Sequence, residues 1–249
     1  MLIPKQILLF IFNLFIASLV YGQTNEGGAV DLVCAETILK DLKNGVLLVK
    51  IPTGYKKISE INKTLAKGKD NSRLIAARDK EMAHITKAQQ GLMHGFKQFY
   101  TFSSFIGVYD TNYAKVLKNP AITGVFIDTS FKEVKDFSLS GKTFATFRED
   151  QFFYDAGKAH KGFTLSDNRG LVPNRPFGIG IPYKFRQHSV MPREGALPRA
   201  AQTLQGTYPE EFYKNYTSRF LDKNAYHAVV KMLQIKLELY GRYLDYKKG

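Results

Sequence analysis

The chain has a single cysteine among 249 residues, Cys34, so no internal disulfide can form. Outside a reducing compartment its fold must stand on burial alone. Beyond residue 20 no apolar run approaches the roughly 20 residues that a membrane-crossing helix requires, and no later segment is expected to span a bilayer. There is no internal repeat and no low-complexity tract. Acidic side chains are few beside basic ones, 22 against 36, which leaves a formal charge of +14 and a field that favours acidic partners. Hydrophobic residues at 44% and charged residues at 23% exclude a disordered chain and leave a globular one.

Motifs that carry chemistry are also missing. Gly141-Lys142-Thr143 imitates the end of a phosphate-binding loop, but Asp136 stands where the leading glycine is required. Ser166-Asp167-Asn168 resembles the middle motif of penicillin-recognising serine enzymes, yet no serine is followed by lysine three residues later and no Lys-Thr-Gly follows. The tripeptide is expected in a turn between Phe163-Thr164-Leu165 and Leu171-Val172. Glu81 and His84 have the one-turn spacing of a metal-sharing pair, but His94, the other histidine of that segment, lies about 280° round the helix. His160, His188 and His227 form no ligand cluster in sequence. No Gly-x-Ser-x-Gly elbow accompanies Cys34 or the histidines. No metal site, no cofactor and no assignable catalytic residue is expected, and the spacing signatures of nucleic-acid-binding modules are absent.

The N-terminus carries a positive signal. Lys5 precedes the apolar run Ile7 to Val20, interrupted only by Asn13, which is the length and flank of a secretory signal peptide. Val20-Tyr21-Gly22 supplies the cleavage context, so residues 1 to 22 are expected to be removed, and 23 to 249 to form one basic α/β domain. Cys34 lies well past the run and follows Asp31-Leu32-Val33, which does not fit a lipoprotein site. It is expected to be a buried thiol near the start of the first helix.

Along the mature chain, Val30, Val33, Ile38 and Leu42 predict a helix from Val30 to Lys43, stopped by Asn44-Gly45. Val46 to Ile51 is a continuous apolar run closed by Pro52, the pattern of a strand buried on both faces. Tyr55 to Phe99 is helical in period, broken at Gly68 to Ser72. Ile58, Ile61 and Leu65 share a face before the break, and Ile75, Met82, Ile85, Leu92, Phe96 and Phe99 share one after it, expected to pack on the sheet. Phe105 to Tyr109 and Ile122 to Ile127 read as strands around a short helix at Tyr113 to Leu117. Lys142 to Arg148 alternates, with Phe144 and Thr146 to one side, and Gln151 to Tyr154 extends it as a hairpin. A short strand is possible at Phe177 to Ile181, and Lys223 to Tyr246 is a last helix with two apolar stripes, hence buried on two sides. The fold class is therefore α/β, a single domain with a mixed β-sheet, a long helical segment after the first strand and a C-terminal helix.

Leu42 to Pro52, the segment ending Phe96-Lys97-Gln98-Phe99 with an aromatic strand after it, and the signal ending in Gly22-Gln23 resemble a group of uncharacterised exported proteins of Bacteroidetes. Lys50 departs from the arginine expected there. The resemblance spans roughly residues 1 to 110, implies export and an α/β start, and carries over no site residue.

Basic charge is concentrated at the two ends: residues 40 to 97 hold 13 basic and 5 acidic side chains, 98 to 170 hold 9 and 8, and 171 to 249 hold 13 and 6. Leu171 to Ala200 contains five of the nine prolines, with Arg175, Lys184, Arg186, Arg193 and Arg199 against Glu194 alone. An ordered basic loop is expected there. Tyr183 and Phe185 interleave with Lys184 and Arg186, with His188 close behind, so aromatic faces and cations can meet a sugar or phosphate together. Arg175, Tyr183, Lys184, Arg186, His188 and Arg193 are the anionic-ligand candidates. The expected function is that of a non-enzymatic periplasmic or secreted protein binding anionic lipopolysaccharide, polysaccharide or another envelope protein. The alternative is an exported hydrolase whose residues converge only in the fold. Intact mass of the protein purified from its native host should correspond to a chain beginning at Gln23, and a product retaining Met1 in the membrane fraction would contradict cleavage.

Overall fold

The computed structural model describes residues 34–68, 71–153, 159–170, 179–180 and 224–248. The chain enters it on helix α1, residues 34–43, whose Ala35, Ile38, Leu39 and Leu42 are buried at i, i+3, i+4 and i+7. Cys34, 8% exposed, joins the same core. Asn44 and Gly45 end the helix, but not through the left-handed conformation that usually favours glycine there, since the left-handed residues are elsewhere. Gly45 is needed for room: a Cβ on it would lie 2.0 Å from the Thr143 carbonyl oxygen.

Strand β1 (Val46–Ile51) follows within the predicted bounds and is buried on both faces. It lies at the centre of a seven-stranded mixed sheet of order β4-β3-β2-β1-β5-β6-β7. On one side β1 runs parallel to β2 (Ser104–Tyr109), with Val46 opposite Ser104 and Ile51 opposite Tyr109. On the other it runs parallel to β5 (Phe144–Phe153), with Val46 opposite Phe144 and Val49 opposite Phe147. The outer pairs, β2 with β3 (Phe126–Ile127), β3 with β4 (Glu133–Val134), β5 with β6 (Ala159–Ser166) and β6 with β7 (Ile179–Gly180), are all antiparallel.

Helices cover both sheet faces. Helix α2 (Tyr55–Leu65) and helix α3 (Ser72–Phe99) connect β1 to β2, and the C-terminal half of α3 lies with α1 and the last helix, α5 (Ala225–Lys248), over Leu47, Val49, Ile51, Ala145, Phe147, Phe163 and Leu165. The opposite face, Val46, Leu48, Ile106, Val108, Phe126 and Phe144, is covered by Tyr113 and Val116 of helix α4 (Asp110–Lys118). Each fully buried aliphatic or phenyl side chain here contributes roughly 1.5–3 kcal/mol. Phe96 anchors the first face, with its ring 5.3 to 5.4 Å from those of Tyr100, Phe105 and Phe147. Helices α3 and α5 approach closely because Gly91 and Gly95 face Tyr226 and Val230, where an added Cβ would meet side-chain carbons at 2.9 and 3.1 Å. Gln234 ties α5 to the start of the next segment: its Oε1 accepts from the Thr101 N–H at 3.0 Å, and its Nε2 donates to Glu238 at 2.7 Å.

Two expectations need correction. The strand expected over Ile122 to Ile127 is only Phe126–Ile127, because Ile122 N–H donates to Asn119 in a turn and Gly124 takes a left-handed bend with φ 68°. The alternation at Lys142 to Arg148 holds, with Phe144 in one core and Ala145 and Phe147 in the other, and both sides are buried because helices lie on both faces of the sheet. The stripe on α3 does not pack along its whole length: Ile85, Leu92 and Phe96 are buried, whereas Ile75 is 40% and Met82 49% exposed. The helix outruns the sheet, so its first three turns have no strand beneath them.

The two stripes of α5 are buried, from Val229 through Leu233 and Leu237 to Tyr240 on one and Met232, Ile235 and Leu239 on the other. Lys236 lies among them, 3% exposed, and burial holds its pKa down to about 7 from the ordinary 10.5. The unfolded chain therefore binds more protons between about pH 7 and 10.5, so this group's penalty is complete below pH 7 and fades as pH rises. Lys236→Met is expected to raise Tm by several degrees at pH 6 and to change it little near pH 10.5. Equal shifts at both pH values, or destabilisation at pH 6, would contradict this.

Candidate functional site

In open α/β sheets, ligands are met at the carboxyl ends of the parallel strands. Here that edge is formed by the ends of β1 and β2 and by Arg148 on β5. Thr53 Oγ1 donates to the Asp110 carboxylate, joining the loop after β1 to the first residue of α4. Arg148 donates from Nε and Nη2 to Asp150 Oδ2 at 2.9 and 2.7 Å, and from Nη1 to the Tyr113 hydroxyl at 3.3 Å. Lys50 Nζ lies 5.0 Å from the Tyr113 ring centroid. Burial opposes the charge on Arg148, but the Tyr113 hydroxyl and Asp150 more than offset it, so the guanidinium holds its proton above the ordinary range. The edge is a set of mutually satisfied groups. At this edge the Thr53 hydroxyl is hydrogen-bonded to a carboxylate, and the Arg148 guanidinium is held between Asp150 and the Tyr113 hydroxyl.

The residues singled out by motif have other tasks. Asp167 and Asn168 lie in the turn after β6, where Asp167, 1% exposed, accepts from the Arg169 backbone N–H at 2.9 Å and pairs with its guanidinium at 2.8 Å. Burial, and then the Asp167 charge, push the nearby Asp41 carboxyl up, and Arg169 partly counters this. Lys142 lies over the Phe137 ring just before β5. Glu81 pairs with Lys57 at 2.6 Å, and His84 Nε2 lies 3.5 Å from the Tyr226 hydroxyl. His94 Nδ1 and His227 Nε2 come within 3.0 Å across the α3–α5 seam, a long-range pairing that spacing alone does not reveal. Arg175, Tyr183, Lys184, Arg186, His188 and Arg193 lie outside the described residues, as do the signal segment and Pro209 to Leu221.

The open chemistry is on the α2–α3 hairpin. Its helices are antiparallel: Gln89 Nε2 donates to the Pro52 carbonyl at 2.8 Å, Gly54 faces Ile85, and Lys57 meets Glu81. Ile58, Ile61 and Leu65 are half-buried, and α2 contains no fully buried residue. Lys56 and Lys63 fall within about 20° of one another around α2, with exposed Glu60 about 40° from Lys56 and Lys67 in the turn after the helix, and Arg73, Lys80 and Lys87 fall within about 40° around α3. All six are exposed, and none pairs with an acid among the described residues. Tyr55, Ile75 and Met82, the exposed large apolar side chains of the described residues, are on the same two helices. On α2 the lysines point away from the half-buried face of Ile58, Ile61 and Leu65, with Glu60 among them, whereas on α3 the cations lie about 120° from that helix's inward side. Tyr55 on α2 and Ile75 and Met82 on α3 lie about 90° from their inward sides in the same rotational sense, and antiparallel helices that face one another bring like senses together, so these apolar residues emerge on one face of the hairpin. A hollow on α2 is lined by Tyr55, Ile58, Ser59, Asn62, Lys63 and Ala66.

No protein family, curated protein or solved structure matches this chain. Among the described residues no helix is long and apolar enough to cross a membrane.

Proposed function

We propose that the chain is exported and acts as a non-enzymatic envelope binding protein whose partner is an anionic surface. The observation that carries this reading is the set of six exposed cations on α2, in the turn after it and on α3, none of which forms an ion pair among the described residues. Surface cations held for solubility are normally interspersed with acids. Here the row Arg73, Lys80 and Lys87 has no acid on its side of α3, although Glu60 stands among the lysines of α2, within a chain whose formal charge is +14. The charged groups at the sheet's carboxyl edge are engaged with one another, which favours binding over catalysis. The apolar run at Ile7 to Val20 supports export, and the basic segment 171 to 200 adds charge of the same sign.

The mature protein should be retained on immobilised lipopolysaccharide and pass through an uncharged matrix, with retention falling steeply between about 0.05 and 0.5 M NaCl as exposed charges are screened. Passage through both matrices at low salt, or retention indifferent to salt, would contradict the reading.

A further inference from the structure

We propose that His94 and His227 form a binding site for a divalent transition-metal ion, Cu2+ first among them, across the seam between α3 and α5. His94 Nδ1 and His227 Nε2 are 3.0 Å apart, and the rings, tilted by 34°, meet through these nitrogens. Metal–imidazole bonds are about 2.0–2.1 Å long, so two nitrogens at this separation subtend roughly 90° at a shared ion. That is the angle between neighbouring positions of a tetragonal or octahedral ion, and it is narrower than the tetrahedral angle zinc prefers. Nitrogen and oxygen ligands in tetragonal geometry select Cu2+ or Ni2+, and Cu2+ binds the more tightly.

The seam holds the pair in place before any ion arrives. Gly95 stands beside His94, and the His227 Cα is 3.4 Å from where a Cβ on Gly95 would lie, so the two helices meet closely at this level. The Phe99 ring packs edge to face against His227, with centroids 5.6 Å apart. His94 is exposed and His227 half-buried, which leaves the pair open to solvent on one side. No third histidine, cysteine or carboxylate joins them among the described residues, so water completes the coordination. One imidazole of the neutral pair donates to the other, and on coordination its proton passes through solvent to the outer nitrogen of the same ring. Both imidazoles then bind as neutral ligands, with no net release of protons. Lys97 and Lys231, about one turn along from His94 and His227, carry like charge to the ion and make it exchangeable. The bound ion ties the first turn of α5 to α3 and stabilises the folded chain.

The test is calorimetric titration of the untagged mature protein with CuCl2, followed by electron paramagnetic resonance of the one-to-one complex. A single saturable equivalent is expected, with hyperfine splitting from two imidazole nitrogens, and Ni2+ and Zn2+ should bind more weakly. His94→Gln and His227→Gln should each weaken binding by roughly 100-fold or more, since even the partner that supports a metal ligand is worth about 10- to 100-fold. His188→Gln removes a histidine elsewhere and should leave the affinity unchanged. Saturating Cu2+ should raise the Tm of the parent chain and leave that of the two histidine variants where it stands in EDTA. Were either variant to misfold, the two-nitrogen spectrum of the parent chain would still decide. Absence of saturable binding, unaltered affinity in both histidine variants, or a spectrum with fewer than two nitrogens would overturn the site. Tighter binding of Zn2+ than of Cu2+ would contradict the right-angled geometry and overturn it as well. The titration is independent of retention on lipopolysaccharide, so this site and the proposed function can fail separately.

Discussion

Everything in this fold hangs from the entry of β1 into the sheet at Gly45. The Val46 N–H donates to the Thr143 carbonyl at 3.0 Å, Thr143 Oγ1 donates to the Asp41 carbonyl at 3.0 Å, and Ser104 Oγ donates to the Gly45 carbonyl at 3.1 Å. One residue thus joins the end of α1 to the starts of three parallel strands. A strand buried on both faces has no water to satisfy its backbone, so parallel partners on both sides are obligatory. The approach is possible because the junction carries no side chain, and any Cβ there would collide with the backbone of the neighbouring strand.

From that centre the helices take their places by length. The last turns of α3 are held to the sheet by Leu92 and Phe96 and to α5 across Gly91 and Gly95. Its first turns reach past the strands and are left with α2 as their companion. The same helix is therefore core at one end and exposed surface at the other. Charges near the sheet, Arg148 with Asp150 and Asp167 with Arg169, are paired, while on the hairpin Lys57 and Arg78 pair with Glu81 and Asp79 and the remaining exposed cations form no ion pair among the described residues.

The central strand, the two helices after it and the closing helix were legible in the sequence because their patterns are local. A six-residue run, apolar but for Lys50 and closed by proline, a glycine-bearing break at residues 68 to 72 and a doubled apolar stripe each specify their element without reference to the rest of the chain. Ile75 and Met82 were misleading because periodicity reports which residues share a face, not whether anything lies opposite it. The shortened strand at Phe126–Ile127 depended on a turn at Asn119 and a left-handed Gly124, which outweigh the β-branched residues before it. At the candidate surface, the basic excess of residues 40 to 97 was visible as a count. Which of these cations face solvent became clear only when the antiparallel pairing of α2 and α3 fixed which sides of the helices are open. The Arg148–Tyr113 and His94–His227 contacts join residues 35 and 133 positions apart, beyond any spacing rule.

The central claim is that a rigid sheet centred on β1 carries a hairpin whose outer helix is held only along one half-buried face. Amide hydrogen exchange of the mature protein, followed by mass spectrometry, tests this directly, since protection tracks local opening. Peptides covering Val46–Ile51 should be among the slowest to exchange, and peptides covering Tyr55–Leu65 should exchange orders of magnitude faster. Comparable protection of the two segments would place α2 inside the cooperative core and contradict the account of an exposed cationic arm.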